Sequence, residues 1–173
     1  ALSATVLGYS YNKGVPMPLA ILLGILTGLL CGMFNGLILT KFTELAPMIV
    51  TLATQTLYRG MAEMILKDQS ASKLHNSEFF YNIYYGKLFG IPYILIVFFV
   101  LAIIFGVVLH KTIYGRYLYA IGLNRDVAYY SGVPVQKVRF IAYSLMGLIC
   151  GIAAVYYASW MGTVRSDIAI GYE

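Results

Sequence analysis

The chain has 173 residues, of which 60% are hydrophobic and only 11% charged, and its mean hydropathy is +0.78. An ordinary soluble domain carries about 25% charged residues, so a charge-covered globular surface is excluded; disorder, which needs low hydrophobicity and high net charge, is excluded as well. The formal charge of +5 therefore points to a lipid bilayer rather than to nucleic acid as the partner, with the basic groups acting as topology signals.

A bilayer core is about 30 Å thick, and a spanning helix needs about 20 mostly apolar residues. The opening run Ala1-Leu2-Ser3-Ala4-Thr5-Val6-Leu7 reads as the tail of an earlier span over residues 1–8, which makes the chain a central piece of a longer protein. No signal peptide is visible in that stretch. Spans are expected over 17–40, 47–66, 91–109 and 140–162. The expected fold class is therefore all-α, a polytopic transmembrane helical bundle in a single domain. Pro16, Pro18, Pro47 and Pro92 support the starts of these spans, because a missing N–H costs nothing in the first helical turn.

In the 17–40 span, Gly24, Gly28, Gly32 and Gly36 recur every fourth residue and share one helix face. Gly147 and Gly151 repeat the spacing in the last span, with Ala154 and Ala158 near the same stripe. Small residues at that spacing let helix backbones approach closely in lipid. The stripe is read as span packing, the sharper alternative being a seam against a moving helix or a second subunit. Asn35 lies within it, either as an interhelical hydrogen-bonding group or as part of a solute path. Cys31 and Cys150 sit in apolar runs and are read as small packing residues, not a disulfide or metal pair.

The connection 41–46 is short, so the first two full spans are expected to be antiparallel neighbours. In the 47–66 span, Thr51, Gln55, Arg59 and Glu63 recur every fourth residue, with Thr54 and Tyr58 alongside. Ionisable groups at membrane depth normally face a bundle interior or a water-filled path. At 1.5 Å per residue Arg59 stands roughly 18 Å along from Pro47, a depth that leaves both a path role and snorkelling to the interface open. Thr51 and Gln55 lie deeper and are the better path candidates.

Residues 67–90 form a polar, aromatic loop, and 111–139 a loop carrying Lys111, Arg116, Arg125, Lys137 and Arg139. The positive-inside tendency puts 111–139 and 41–46 in the cytoplasm, and 67–90 and 163–173 outside. Within the basic loop, Asn124 suits an N-cap, Asp126 the first turn, and Gly132 the left-handed C′ position, with Pro134 beyond. That defines a helix of about two turns, too short to stand alone, which composition reads as a connector. No G-x-x-x-x-G-K-[ST] phosphate cradle occurs. His75 and His110 are read as interfacial, and no catalytic or metal-ligating set is seen.

Three strings resemble one family. They are Gly115-Arg116-Tyr117-Leu118-Tyr119-Ala120-Ile121-Gly122-Leu123-Asn124, followed by Ala128 and Ser131-Gly132-Val133; Pro47-Met48-Ile49-Val50-Thr51-Leu52-Ala53-Thr54 with Tyr58-Arg59-Gly60; and Gly32-Met33-Phe34-Asn35-Gly36-Leu37. In order and along essentially the whole chain they are similar to permease subunits of ribose-type ABC sugar importers, of which the branched-chain amino acid permeases are a more distant branch. The resemblance implies an inner-membrane, multi-pass permease that works in a homo- or heterodimeric pair. Two ATPase subunits would bind ATP and Mg in its place, and an extracytoplasmic sugar-binding protein would deliver substrate to the 67–90 face. It also implies that Asn124, Arg125, Asp126, Ala128, Tyr129, Ser131, Gly132 and Val133 form the coupling element that docks on the ATPase. Asn35, Thr51, Gln55 and Arg59 are the candidate path residues. A secondary transporter or channel using the Thr51/Gln55/Arg59/Glu63 face is the competing expectation, and a membrane enzyme a remote one.

Overall fold

A computed structural model describes residues 1–42, 46–66, 80, 86–88 and 91–164. The prolines set the helix starts. Pro16 and Pro92 stand at N-caps in extended conformation, and Pro18 and Pro47 lie inside first turns. Seven helices follow in order among the described residues: α1 (Leu2–Asn12), α2 (Met17–Lys41), α3 (Pro47–Leu66), α4 (Tyr93–Lys111), α5 (Ile113–Leu123), α6 (Arg125–Tyr130) and α7 (Val135–Met161). The only strands among the described residues are β1 (Lys87–Leu88) and β2 (Ile91–Pro92), antiparallel, with Lys87 opposite Pro92 and Leu88 opposite Ile91. The chain is an all-α bundle in every functional respect.

The helices differ from the expected segments in three places. α1 runs on to Asn12, past residue 8. α7 begins at Val135 instead of Phe140, because Pro134 at its N-cap and not the charge of Lys137 and Arg139 decides where the helix starts. The stretch 111–139, read as a loop apart from its short helix, contains a further helix, α5. Its start is fixed by Thr112, whose Oγ1 accepts from the Gly115 N–H at 3.2 Å and donates to the Val108 carbonyl at the end of α4. A Cβ at Gly115 would run into the Leu109 carbonyl, so only glycine permits the turn from α4 to α5. Tyr114 then ties α5 to the base of α7 by donating to the Val138 carbonyl at 3.1 Å. Burial pushes its phenol above the ordinary value.

α2, α4 and α7 are long and apolar enough to cross a bilayer. α3 has 20 residues but is not among them. The dominant interface joins α2 to α7. A Cβ on Gly28 would lie 2.7 Å from the Gly147 carbonyl oxygen and 2.7 Å from Gly151 Cα, and one on Gly32 would lie 2.7 Å from Gly147 Cα. The glycine seam is thus an intrachain, backbone-to-backbone crossing. Gly24 belongs to a different contact, against Ser3 and Leu7 of α1, and Gly36 meets Phe140 and Tyr143.

α3 packs more lightly, touching α1 and, at fewer places, α2. Only Val50, Thr54, Ala62 and Leu66 of α3 are buried. α4 has no buried residue and leaves an apolar groove of ≈ 420 Å³ against α7, with Tyr156, Tyr157 and Trp160 in its wall. The main apolar core collects Ala4, Leu7, Met17, Leu66, Phe80, Val155, Ala158 and Val164, where the α1–α2 turn meets the C-terminal ends of α3 and α7. Ser159, buried there, donates its Oγ–H to the Phe80 carbonyl at 2.6 Å.

Gly28→Leu has no space to enter at the α2–α7 crossing, and overpacking of this kind costs about 3 kcal/mol or more. Its folded yield in detergent, read by size-exclusion chromatography, is expected to collapse, whereas Leu29→Ala, which only trims a half-buried side chain, keeps most of it. Equal monodisperse yields for the two variants would show that the crossing does not limit folding.

Candidate functional site

A cleft of ≈ 570 Å³ opens between α3 on one side and α2 with α7 on the other, with Ala1, Leu2 and Ser3 at one edge. Asn35, Thr51, Gln55 and Arg59, the four path candidates, all line it. The reason lies in two helical stripes. Thr51, Gln55 and Arg59 repeat every fourth residue on α3, and Asn35 sits one turn after Cys31 on α2, beside the seam glycines. Gly28, Gly32 and Gly147 line the same cleft, so the seam forms its floor. Glu63, the fourth member of the α3 stripe, is exposed and does not line it.

The hydroxyls on α3 are held locally. Thr51 Oγ1 donates to the Pro47 and Met48 carbonyls, both at 3.0 Å, and Thr54 Oγ1 to the Val50 and Thr51 carbonyls at 3.0 and 3.1 Å. With their protons turned to their own helix, their oxygens remain as acceptors toward the cleft. Tyr58 behaves differently and reaches across it. Its OH lies 3.1 Å from the Cys31 carbonyl and 3.3 Å from Asn35 Oδ1. Asn35 is therefore an interhelical hydrogen-bonding group, the first of its two sequence readings, and it also lines the cleft.

Sequence reasoning placed Tyr58 beside the polar stripe without making it a candidate. The signal was available, since Tyr58 stands three residues after Gln55 and four after Thr54, on the same face. Tyr143, Met146 and Cys150 of α7 also line the cleft, and nothing in their spacing alone separates them from packing residues. Cys31 and Cys150 are free thiols on this one cleft. Of the described side chains lining it, Arg59 alone carries a formal charge. His110 is exposed and bonds the Gly106 carbonyl of its own helix at 3.0 Å, while His75 and most of the 67–90 loop lie outside the described residues. Among the described residues no group of three or more His, Cys, Asp and Glu side chains comes together.

The coupling candidates stand apart from the cleft. Asn124 Oδ1 accepts from the Asp126 and Val127 N–H groups at 2.9 and 3.1 Å, capping α6. At the other end the Gly132 N–H donates to Tyr129 O and the Val133 N–H to Ala128 O, both at 3.1 Å, with Gly132 at φ +82°. This is the Schellman pattern of a left-handed C′ glycine. Ala128 is buried, whereas Arg125, Asp126, Tyr129, Ser131 and Gly132 are exposed and Val133 is half-buried. Tyr129 and Tyr130 stack edge to face, with ring centroids 5.7 Å apart.

Residues 1–173 match a family model described as branched-chain amino acid transport system / permease component. The chain belongs to that family. It is 36% identical over 176 residues to the autoinducer 2 import system permease protein LsrD of Escherichia coli O9:H4 (strain HS), an alignment covering 99% of this chain and 53% of that protein. The same figures hold for the proteins of that name from Escherichia coli (strain K12) and Shigella flexneri. The chain thus spans about half the length of these curated relatives. No solved structure matches it. Membership in a transport-component family agrees with the resemblance drawn from the sequence and weighs against the secondary-transporter reading.

Both caps of α6 are open to a direct check. Asn124→Ala removes an N-cap worth about 1 kcal/mol, and Gly132→Ala puts a Cβ on a left-handed backbone at about the same cost. Each is expected to speed amide exchange over 125–130 several-fold while leaving α7 unchanged. Unaltered exchange in both would mean that neighbouring contacts, not the caps, hold α6.

Proposed function

We propose that this chain forms part of the solute path in the permease subunit of an ATP-driven, binding-protein-dependent importer of a small sugar-type solute. The observation that carries the reading is the convergence of Asn35, Thr51, Gln55 and Arg59 on one cleft in a chain of a permease family. The lining offers neutral amide, hydroxyl and phenol groups with one guanidinium, a set suited to a polyhydroxylated neutral molecule. The relatives' name speaks of autoinducer 2, so the sugar-type class is supported and ribose itself is the narrower guess.

The family description favours one further reading, a branched-chain amino acid. An amino acid zwitterion needs a partner for its ammonium group as well as its carboxylate. Arg59 would serve the carboxylate, but among the described residues no Asp or Glu side chain lines the cleft, and this balance favours the sugar-type solute.

In this reading two permease subunits, identical or not, pair in the inner membrane, with several passes each. An extracytoplasmic binding protein delivers the solute. ATP and Mg belong to ATPase subunits on the cytoplasmic side, and this chain holds no cofactor and carries out no hydrolysis. The α6 region, with Asn124, Arg125, Asp126, Ala128, Tyr129, Ser131, Gly132 and Val133, docks on the ATPase. Its exposed Tyr129 and Tyr130, 64% and 86% accessible, are the bulky contacts it offers.

The test is co-purification of the tagged full-length permease from membranes in a mild detergent. An ABC-type ATPase is expected to come down with wild type and to be lost with Tyr129→Glu, a surface change that leaves the α6 caps intact. A well-folded wild type that brings down no ATPase would overturn the importer reading. In uptake assays Gln55→Leu is expected to lower kcat/KM for the transported sugar by about ten-fold, the loss of a hydrogen-bonding group from a half-buried polar site. Competition by sugars and autoinducer 2 but not by leucine is the expected specificity, and the reverse would move the assignment to the amino acid.

A further inference from the structure

The α2–α7 pair carries a second groove, of ≈ 330 Å³, that shares no lining residue with the cleft. Leu37 and Thr40 of α2 and Gln136, Lys137, Phe140 and Ile141 of α7 line it. The two helices run antiparallel, since Gly28 meets Gly151 and Gly36 meets Phe140. The last turn of α2, ending at Lys41, therefore lies beside the first turns of α7, beginning at Val135. This sorts the groove along the helix axes. On α2, Thr40 stands nearer the end of the bundle than Leu37; on α7, Gln136 and Lys137 stand nearer it than Phe140 and Ile141. At 1.5 Å per residue the polar and apolar zones are roughly 5 Å apart in depth.

Each zone has a defined chemistry. Phe140 forms the floor of the inner one, its Cδ2 3.1 Å from where a Cβ on Gly36 would lie. Leu37 and Ile141 flank it and are 55% and 44% exposed. In the outer zone Lys137 is exposed and is the one formal charge among the described side chains of the lining. Lys41 follows Thr40, and α7 has no acidic residue in its first turn. Thr40 Oγ1 donates to the Gly36 and Leu37 carbonyls at 2.8 and 3.1 Å, so its oxygen is left as an acceptor. The outer zone thus offers ammonium and amide donors to an anion, with a hydroxyl oxygen beside them.

We propose that this groove is a binding site for an anionic phospholipid, with its phosphate at Lys137 and the upper part of one acyl chain along Leu37, Phe140 and Ile141. Charge complementarity and the axial sorting select that occupant. A further spanning helix would present an apolar face to both zones and leave the Lys137 ammonium without a counter-charge, whereas a phospholipid carries its charge and its chain in this order and at this spacing. A free phosphate has no use for the inner zone. Lys41, Lys111, Arg116, Lys137 and Arg139 mark this end as the cytoplasmic one, where anionic lipid attracts basic side chains and basic pockets between spans hold its headgroups. The site needs the chain only to span a membrane, so it stands or falls apart from the importer reading.

The experiment places the full-length permease, in its native complex, in phosphatidylcholine vesicles doped with phosphatidylglycerol that carries a diazirine on its acyl chain. Phosphatidylcholine with the same diazirine is the matched probe. After irradiation, labelling at residues 37–42 and 136–141 is quantified by peptide mass spectrometry. Phosphatidylglycerol is expected to label both segments several-fold more than phosphatidylcholine. Lys137→Gln should lower that preference about five-fold, and so should about 1 M salt, where the screening length is about 3 Å. Lys111→Gln, a charge at the same end that does not line the groove, should leave it unchanged. Ile141→Trp, which fills the inner zone and keeps the charge, should lower labelling by both probes. Equal labelling by the two probes in wild type, or a preference that Lys137→Gln and salt leave intact, overturns the site. Unaltered labelling in a folded Ile141→Trp overturns the chain seat and with it the lipid. If neither probe labels the segments and an amine cross-linker joins Lys137 to an ATPase or a second permease, the groove is a protein contact and the proposal falls.

Discussion

The backbone-to-backbone crossing of α2 and α7 is the contact on which the other positions depend. Lipid chains are as apolar as leucine, so helices in a bilayer gain little from burying large side chains against each other. What holds them is close approach, and at Gly28, Gly32, Gly147 and Gly151 the main chains come nearer than any side chain would allow. Fixing that crossing fixes the cleft floor. Asn35 and Cys31 lie one turn apart on α2 beside the seam, and Tyr143, Met146 and Cys150 alternate with Gly147 on α7. A polar cleft needs a rigid side from which to project its groups, and here the smallest residues in the chain supply it.

The second constraint is polar satisfaction where water is scarce. Every buried polar side-chain atom among the described residues has a partner. Thr5, Thr27, Thr40, Thr51, Thr54, Thr56 and Ser144 meet it by bonding carbonyls of their own helices, the cheapest solution for a short hydroxyl. Such bonds cost no mobility between helices. The phenol of Tyr58 is too far from its own backbone to do the same, and so couples two helices. The length of a side chain decides whether a polar group stays private to its helix or ties the bundle together.

Much of this was legible in the sequence because it follows from period and punctuation. The every-fourth-residue stripes put Gly24 to Gly36 on one face and Thr51, Gln55 and Arg59 on another, and the structure gathers the latter with Asn35. Asn124 and Gly132 announced α6 by chemistry that needs no tertiary context: an oxygen for free N–H groups, and a residue without a Cβ for a left-handed turn. α5 was missed because Gly115 and Gly122 and the basic Arg116 interrupt the apolar run that marks a span. Its existence depends on Thr112 and on the Tyr114 contact to Val138, which only the fold brings together. The partner of the glycine stripe was equally hidden. Period tells which residues share a face and is silent on what the face meets, and so Gly24 turned out to face α1 while its neighbours face α7.

These connections also define how force would travel. α6 runs through Gly132, Val133 and Pro134 directly into α7, and the Val135 N–H closes that turn on the Val133 carbonyl at 2.8 Å. α5 holds the same end of α7 through Tyr114 and Val138. A displacement at α6 therefore reaches α7 with little slack, and the seam passes it to α2 because close-packed backbones cannot slide without separating. Among the described residues α3 is packed chiefly on α1 and more sparsely on α2. In the importer reading proposed above, a shift at α6 would reach the cleft through these backbone contacts rather than through a chain of side-chain rearrangements.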